Sequence, residues 1–487
     1  MPLLLCGEWK PDVADYEGTA SHNILNVVPR GDGYGPFQSF TAFSGAMAAA
    51  CRGAFYALKS DGTVLTFAGT STKLYQLNNT NYTWTDVSLG AGTYSALSAT
   101  AQWQFAQFGN LVFATQANAV LQVYDLSSST AFANCAGSPP QAAYISVVGR
   151  FLVLSGLLSN PYRIQWSGLN ATTTWTSGTN SSDFQDFPDG GIVRGVAGGE
   201  AGIVFQDQAI RRMSYVPGSP IIFQIDRITQ DKGLFAPYSI IRAGEVIFFY
   251  AGQGFHKIVP GGIPEQIGRE KVDRTFLADL DKGNLQLFMG AADPRSTRIY
   301  WAYKSTNGQI GLYDKILGYD YLLDRFFPVS ASGECLLGIS QTGLTLENLD
   351  AISASLDALT LSLDAYATAV QPEIAQFNSS HVLGFFRGTN LEATIESAEQ
   401  GTDDQRMTVR GFRPVTDAAT LYGSLLYRDT QQATAVYTNE VAISARTGRC
   451  DMMRDARYSR FKIRIPAGTN WTFSAGVIPD VTTNGTQ

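Results

Sequence analysis

A short unit recurs along the first two thirds of this sequence and limits the possible folds more than any other feature. In each copy, a glycine or polar turn leads into four or five apolar residues, and several copies continue into a second apolar strand. The copies lie at 53–58, 109–114, 149–154, 202–206, 246–250 and 297–302. Blades of β-propellers repeat about every 40 to 50 residues, so the spacing predicts an all-β chain with a β-propeller of about six blades.

The composition agrees with many short strands joined by tight turns, although unrelated hairpins in a β-sandwich remain an alternative. Charged residues make up 16% of the 487 residues, against about 25% in an average globular protein. The chain also contains 48 glycines, 22 tyrosines and 28 phenylalanines. Sparse charge favours an outer surface covered by other subunits, but a Ser/Thr/Asn-rich β surface would have the same composition.

The pattern changes after residue 340. From 344 to 366 the apolar residues are spaced three and four apart, which is the period of an amphipathic helix. Leu-Asp-Ala occurs at 349, 356 and 363, and we interpret its aspartates as a solvated face rather than a metal site. The sequence therefore predicts a propeller body at 1–340, a helical insertion or hairpin at 341–380 and a smaller C-terminal β platform domain at 381–487.

Positive charge is concentrated near the C-terminus. Alternation over 460–465 places Arg460, Lys462 and Arg464 on one face of a half-buried strand and apolar residues on the other. Three interpretations stay open: a solvated strand face, an interface for an acidic partner subunit, and a DNA contact. The candidate partner-interface residues are Arg457, Arg460, Lys462, Arg464, Leu349 and Leu356.

Motifs for catalysis or cofactor binding are sparse. His22, His256 and His381 and the five scattered cysteines show no metal-ligand spacing, and the sequence has neither a nucleophile elbow nor a phosphate-binding loop. We expect buried reduced thiols, no metal, no cofactor and no enzymatic activity. A glycan-cleaving propeller would need two carboxylates facing its channel, and the 42 acidic residues leave that possibility open.

Residues 1–400 carry 24 basic and 34 acidic side chains, a charge of −10, and residues 401–487 add +3, which gives the net charge of −7. An acidic body argues against tight nucleic-acid binding, because phosphates are neutralised by basic patches, but it would let DNA pass. No stretch reaches the about 20 apolar residues of a membrane span, so we expect no stable membrane insertion.

Three stretches of the sequence can be taken together. They are EWKPD at 8–12 with NVVPRGDGYGPF at 26–37, LENLDAISASLDAL at 346–359 with LGFF at 383–386 and NLEA at 390–393, and RYSRF at 457–461 with IPAG at 465–468, Trp471 and GV at 476–477. Together they resemble the tail-hub or nozzle proteins of short-tailed phages, the packaged-DNA stabilisation proteins. Relatives often place a proline where this chain has Thr360, so whether a helix continues past Thr360 stays open.

The resemblance implies a structural virion protein of a phage tail, assembled in the host cytoplasm and without catalytic residues. Such proteins form a closed ring, commonly a hexamer, below the portal and its adaptor protein. The ring encloses the exit channel for genomic DNA and carries fibre or plug proteins. We therefore expect it to retain packaged DNA until ejection, with a net acidic channel face drawn from residues 1–340. A glycan-binding or glycan-cleaving propeller is the alternative.

Overall fold

Short antiparallel strands provide almost all of the regular structure, which confirms the all-β prediction. The computed structural model describes residues 3–14, 19–219, 221–341, 371–402 and 404–484. In these ranges the helical structure consists of one α-helix, Asp273–Asp279, and three 3₁₀ turns, Leu89–Ala91, Pro237–Ser239 and Leu285–Leu287. None of the described helices is long and apolar enough to cross a membrane.

Seven sheets have four antiparallel strands each, and we number them 1 to 7 and give their strands in hydrogen-bonding order. Sheet 1 contains Ala54–Leu58, Val64–Gly69, Leu74–Leu77 and Trp84–Asp86. Sheet 2 contains Gln104–Phe108, Leu111–Thr115, Gln122–Asp125 and Ala133–Asn134. Sheet 3 contains Ala142–Val148, Phe151–Leu157, Arg163–Trp166 and Asp183–Asp186.

The remaining four sheets follow in chain order. Sheet 4 contains Val193–Ala197, Gly202–Gln206, Ile210–Tyr215 and Phe223–Thr229. Sheet 5 contains Ile241–Ala243, Val246–Tyr250, Phe255–Ile258 and Glu265–Gln266. Sheet 6 contains Met289–Ala292, Arg298–Tyr303, Lys315–Asp320 and Arg325–Val329. Sheet 7 contains Cys335–Gln341, Gln371–Phe377, Val382–Asn390 and, from near the N-terminus, Gln38–Ala46.

The repeated unit of the sequence corresponds to strands of these sheets. Its first copy is the first strand of sheet 1, and the other five copies are the second strands of sheets 2 to 6. Sequence repetition predicted about six units, whereas seven sheets form. The sequence repeat did not predict sheet 7, because the strands of this sheet are not consecutive in the chain. Its fourth strand precedes sheet 1 and pairs with Val382–Asn390.

Each sheet contacts the next one, and sheet 7 contacts sheet 1. A hydrogen bond joins each pair of neighbouring sheets. In order from the junction of sheets 1 and 2 to that of sheets 7 and 1, these bonds are Trp103 N to Arg52 O (2.7 Å), Thr115 Oγ1 to Ala142 O (2.7 Å), Gly149 N to Gly199 O (2.6 Å), Leu234 N to Gln206 O (2.9 Å), Trp301 Nε1 to Ser239 O (2.9 Å), Leu336 N to Met289 Sδ (3.1 Å) and Cys51 N to Glu334 Oε2 (2.9 Å). The seven sheets thus form a closed series.

The first strands of neighbouring sheets pack so closely that the position of Gly290 has no room for a side chain. A Cβ atom at Gly290, on the first strand of sheet 6, would lie 2.3 Å from Ile241 Cγ1 on the first strand of sheet 5. Any larger residue at this position would push the two sheets apart. Between the same sheets the aromatic side chains Phe255 and Trp301 are fully buried, with ring centroids 4.5 Å apart.

Two larger sheets form a sandwich from both ends of the described chain. Sandwich sheet A contains Val27–Arg30, Gly33–Pro36, Ser474–Asn484, Arg406–Thr416 and Cys450–Ala456, with Leu4–Leu5 paired to Ser474–Asn484. Sandwich sheet B contains Ile24–Leu25, Ala393–Glu396, Tyr458–Ile465, Tyr422–Arg428 and Val436–Tyr437, with Gln400–Gly401 and Val441–Ala442 paired to its central strands. The rings of Phe412 and Phe461 meet between the two sheets at 5.3 Å.

Sheet pairing divides the chain at other places than the predicted boundaries at 340 and 381. Residues 371–377, expected in the helical insertion, form a strand of sheet 7, and strands between residues 4 and 36 belong to the sandwich. The cause is pairing between distant segments, which local periodicity does not report. The helix predicted around Leu349 and Leu356, including Thr360, lies outside the described residues.

Candidate functional site

The first strands of all seven sheets surround one cavity of about 670 Å³. Each first strand contributes to its lining, for example through Phe55, Phe105, Tyr144, Val196, Ile241, Ala291 and Leu337, given from sheet 1 to sheet 7. Cavities of about 300 to 1,000 Å³ are typical of small-molecule sites. This cavity is therefore the candidate functional site.

One end of the cavity is closed by the segments that lead into the first strands. The hydroxyl of Tyr238 accepts a hydrogen bond from the backbone N–H of Gln102 at 2.9 Å, and its ring packs edge-on against Tyr144, with centroids 6.1 Å apart. The side-chain amide of Gln102 donates to the carbonyl of Gln286. Burial raises the pKa of Tyr238 to about 12, so its hydroxyl stays protonated at neutral pH.

The opposite rim contains the charged residues of the lining, Arg242 and Asp293. Both lie where a first strand ends, and both bind neighbouring protein groups. Arg242 Nε donates to Gly244 O at 2.9 Å, and its guanidinium lies 3.5 Å from the Glu245 carboxylate. Asp293 Oδ1 accepts the backbone N–H of Arg295 at 2.9 Å, and Oδ2 accepts the hydroxyl of Ser296 at 2.6 Å. The other residues that line the cavity carry no charged side chains.

Cys335 belongs to the cavity lining, whereas the three histidines and the other four cysteines do not. The ring of His256 is buried against Phe249, and burial lowers its pKa. His381 Nδ1 lies 2.6 Å from the buried carboxylate of Glu334, and the carbonyl of His22 accepts the indole N–H of Trp9. All five cysteines are buried free thiols, as expected from the sequence. In the part of the chain that the structure describes, no cluster of three or more His, Cys, Asp or Glu could hold a metal ion.

The basic strand predicted near the C-terminus is the Tyr458–Ile465 strand of sandwich sheet B. Phe461, Ile463 and Ile465 are buried, as the alternation predicts. On the other face, the side chain of Arg460 is only 8% exposed and lies 3.5 Å from both Glu396 and Glu399. The predicted alternation is confirmed, and on the cationic face Arg460 is buried while Lys462 and Arg464 are partly exposed.

The other cations of this face also have intramolecular partners. Arg464 forms ion pairs with Glu440 at 2.6 Å and Glu392 at 2.9 Å, which raise its pKa, and its guanidinium lies over the Tyr422 ring. The ammonium group of Lys462 lies 4.8 Å from the centre of the Tyr437 ring. Carboxylates from neighbouring segments therefore pair with Arg460 and Arg464, which argues against a freely solvated face. The partner-interface and DNA interpretations stay predictions. Arg457 is half-buried beside this strand.

No family model matches this sequence, and no curated protein matches it.

Sequence reasoning did not single out the cavity, because its lining comes from seven separate segments. Phe55 lies in the first repeated unit, but Phe105 precedes the second one and was not assigned to any unit. The alternating residues Gln-Phe-Ala-Gln-Phe at 104–108 were the available signal for that strand. No local pattern indicates which of its side chains faces a central cavity.

Proposed function

We propose that the chain is a seven-bladed β-propeller joined to a β-sandwich, and that it is a structural subunit of a phage tail. The closed series of seven four-stranded sheets supports the propeller, since consecutive sheets contact each other and their first strands surround one cavity. The N-terminal strand Gln38–Ala46 completes the last sheet. Joining strands from distant parts of the chain in one blade would hold the propeller closed.

The observation that carries the assembly role is a set of exposed aliphatic side chains on neighbouring sheets. Ile221, Ile263 and Leu322 are 65, 78 and 75% exposed. They lie in the turns between the third and fourth strands of sheets 4, 5 and 6. Since strands of an antiparallel sheet alternate in direction, these three turns share one side of the proposed propeller. Single exposed aliphatic residues are ordinary, but three on adjacent turns favour a protein contact.

The contact would serve subunits of a closed ring, in keeping with the resemblance to phage nozzle proteins. A closed cyclic ring needs the same head-to-tail interface on every subunit. Its partners would be an adaptor protein above and fibre or plug proteins around it, and genomic DNA would pass through its channel. Because duplex DNA has a persistence length of about 50 nm, packaged DNA presses outward, and a distal ring could retain it. Such a channel lies between subunits and is distinct from the cavity within one chain.

The test uses phage particles that lack this protein and are complemented with variants. We expect particles without the protein to package DNA, lose it and be non-infectious. The Ile263→Asp, Leu322→Asp double variant should fail to complement, because buried carboxylates would disrupt the contact. Ile310→Asp is the matched control, since Ile310 is 91% exposed in the second turn of sheet 6, on the opposite side.

Two outcomes would contradict the proposal. Particles that keep their genomes without the protein and fail only at adsorption would make it a receptor-binding component. Full complementation by the double variant would show that the three exposed turns are not a subunit contact. Electron microscopy of the particles measures both DNA content and the ring.

A further inference from the structure

The cavity wall is built from strand edges. In each of the seven sheets, the second strand is the one strand that pairs with the first strand among the described residues, although Val148 in sheet 3 also forms an isolated bridge with Gly199. The other edge of each first strand therefore faces the cavity, with backbone N–H and C=O groups that no strand pairs. Enclosed backbone groups need hydrogen bonds from water or a ligand. The cavity thus offers donors and acceptors from several directions.

Two stacked aromatic rings contribute an apolar patch to the lining of the same cavity. Phe55 and Phe105, on the first strands of sheets 1 and 2, have ring centroids 6.0 Å apart and planes only 9° from parallel. Both rings are partly buried and line the cavity. Tyr56 also lines the cavity, and its ring centroid lies 6.1 Å from that of Phe55. A ligand with an apolar face and polar edges would complement such a surface.

The charge of the cavity lining distinguishes between the classes of ligand that have an apolar face and polar edges. The two charged lining residues, Arg242 and Asp293, lie at the rim and already bind protein groups. A nucleotide or an acidic sugar would bring negative charge to a lining without a cation beyond the rim, and desolvating that charge is costly. An uncharged sugar ring avoids this cost, because it presents C–H groups on its faces and hydroxyls at its edges.

We propose that the cavity binds a neutral saccharide, with a sugar ring against Phe55 and Phe105 and its hydroxyls bonded to the backbone edges of the first strands. The rim formed by Arg242 and Asp293 is the entrance, since Tyr238 and Gln102 close the other end. The cavity volume of about 670 Å³ accommodates a short oligosaccharide rather than a polymer. This site is independent of the proposed ring contact, which uses the outer turns of sheets 4 to 6.

Isothermal titration of the purified full chain tests the proposal with maltotetraose, chitotetraose and a neutral galactotetraose, and with tetragalacturonate as the anionic probe. We expect at least one neutral tetrasaccharide to bind and tetragalacturonate to bind none or at least about tenfold more weakly. Phe105→Ala should weaken the neutral ligand about tenfold or more. Phe184→Ala is the control, because Phe184 is more exposed than Phe105 but lies away from the cavity on the fourth strand of sheet 3, under Arg163.

Ala292→Phe provides a second variant, because Ala292 lines the cavity from sheet 6 and a larger side chain would fill it. Circular dichroism identifies any variant that fails to fold, and the remaining one then decides the result. No binding of any neutral probe at about 10 mM would overturn the proposal, since that limit excludes even weak sugar affinity. Equal affinity in both cavity variants and wild type would overturn it too, as would preferred binding of tetragalacturonate. Ring assembly in phage particles is unaffected by either result.

Discussion

The burial of paired charged side chains differs between sheet 3 and the sandwich. On the third and fourth strands of sheet 3, Arg163 and Asp186 form an ion pair whose side chains are 27 and 45% exposed. In the sandwich, Arg428 and Arg460 converge on Glu399, and all three side chains are almost fully buried. Exposed pairs contribute little to stability, whereas a buried charge is costly once its partner is removed. The Arg428–Glu399–Arg460 network of the sandwich therefore matters more for stability than the exposed pair of sheet 3.

The largest effect should come from the apolar packing between sheets. Trp301 is fully buried, and its indole N–H donates to Ser239 O, which joins sheet 6 to the segment before sheet 5. Trp301→Ala should lower the free energy of unfolding by about 3 to 5 kcal/mol through cavity formation. Chemical denaturation measures the loss. Trp301→Phe, which retains most of the volume, should lose less, and equal stability of the alanine variant and wild type would contradict close packing at this junction.

In the sandwich, Glu399→Gln should cost about 3 kcal/mol. The neutral amide would take one carboxylate away from the buried guanidinium of Arg428, whose Nε lies 2.9 Å from Glu399 Oε1. Arg460 retains Glu396, which keeps the cost at the low end of the range for broken buried pairs. Denaturation of both variants under the same conditions measures the contrast with the sheets. A cost no greater than that of an exposed pair would show that solvent reaches this network.

A buried carboxylate in the series of sheets gives an intermediate, pH-dependent effect. Burial raises the pKa of Asp273 to about 6, well above the ordinary range of an aspartate, although its carboxylate accepts hydrogen bonds from Phe255 N and Gln266 Nε2. The folded state then holds this proton more tightly than the unfolded state, so stability falls as pH rises from about 4 to about 6. The fall should be about 1 to 3 kcal/mol.

Asp273→Asn should remove this part of the pH dependence. The difference in unfolding free energy between the variant and wild type, measured from pH 4 to pH 7.5, isolates the contribution of Asp273 from other carboxylates. The variant should gain on wild type as the pH rises through this window. A difference that stays constant with pH would mean that Asp273 ionises normally in the folded protein.

The smallest effect should follow the loss of an exposed ion pair. Arg163 Nε lies 2.6 Å from Asp186 Oδ1, and the pairing lowers the pKa of Asp186. Asp186→Asn should change stability by less than about 1 kcal/mol, because solvent screens the pair. Added salt should reduce even this difference in denaturation experiments. A loss as large as that of Glu399→Gln would remove the proposed contrast between the two regions.

Local residue patterns were sufficient for the all-β class and for strands in sheets 1 to 6. The repeated units at 109–114 and 149–154 match the second strands of sheets 2 and 3, because a tight turn and apolar residues suffice to specify a hairpin. The alternation of buried residues in Tyr458–Ile465 was also predictable. The cavity was not, because the stacking of Phe55 on Phe105 depends on how two separate sheets pack.

Pairing between distant segments determined the composition of sheet 7 and of the sandwich, and it also determined which groups contact the cations of the basic strand. Val382 pairs with Ala46, and Ile395 pairs with Ile24, across more than 300 residues of sequence. A strand's periodicity tells which of its faces is apolar, but it does not identify the strand that will pair with it. For the same reason, the cations of 460–464 predicted a charged face, while the carboxylates that neutralise it came from segments that only folding brings alongside.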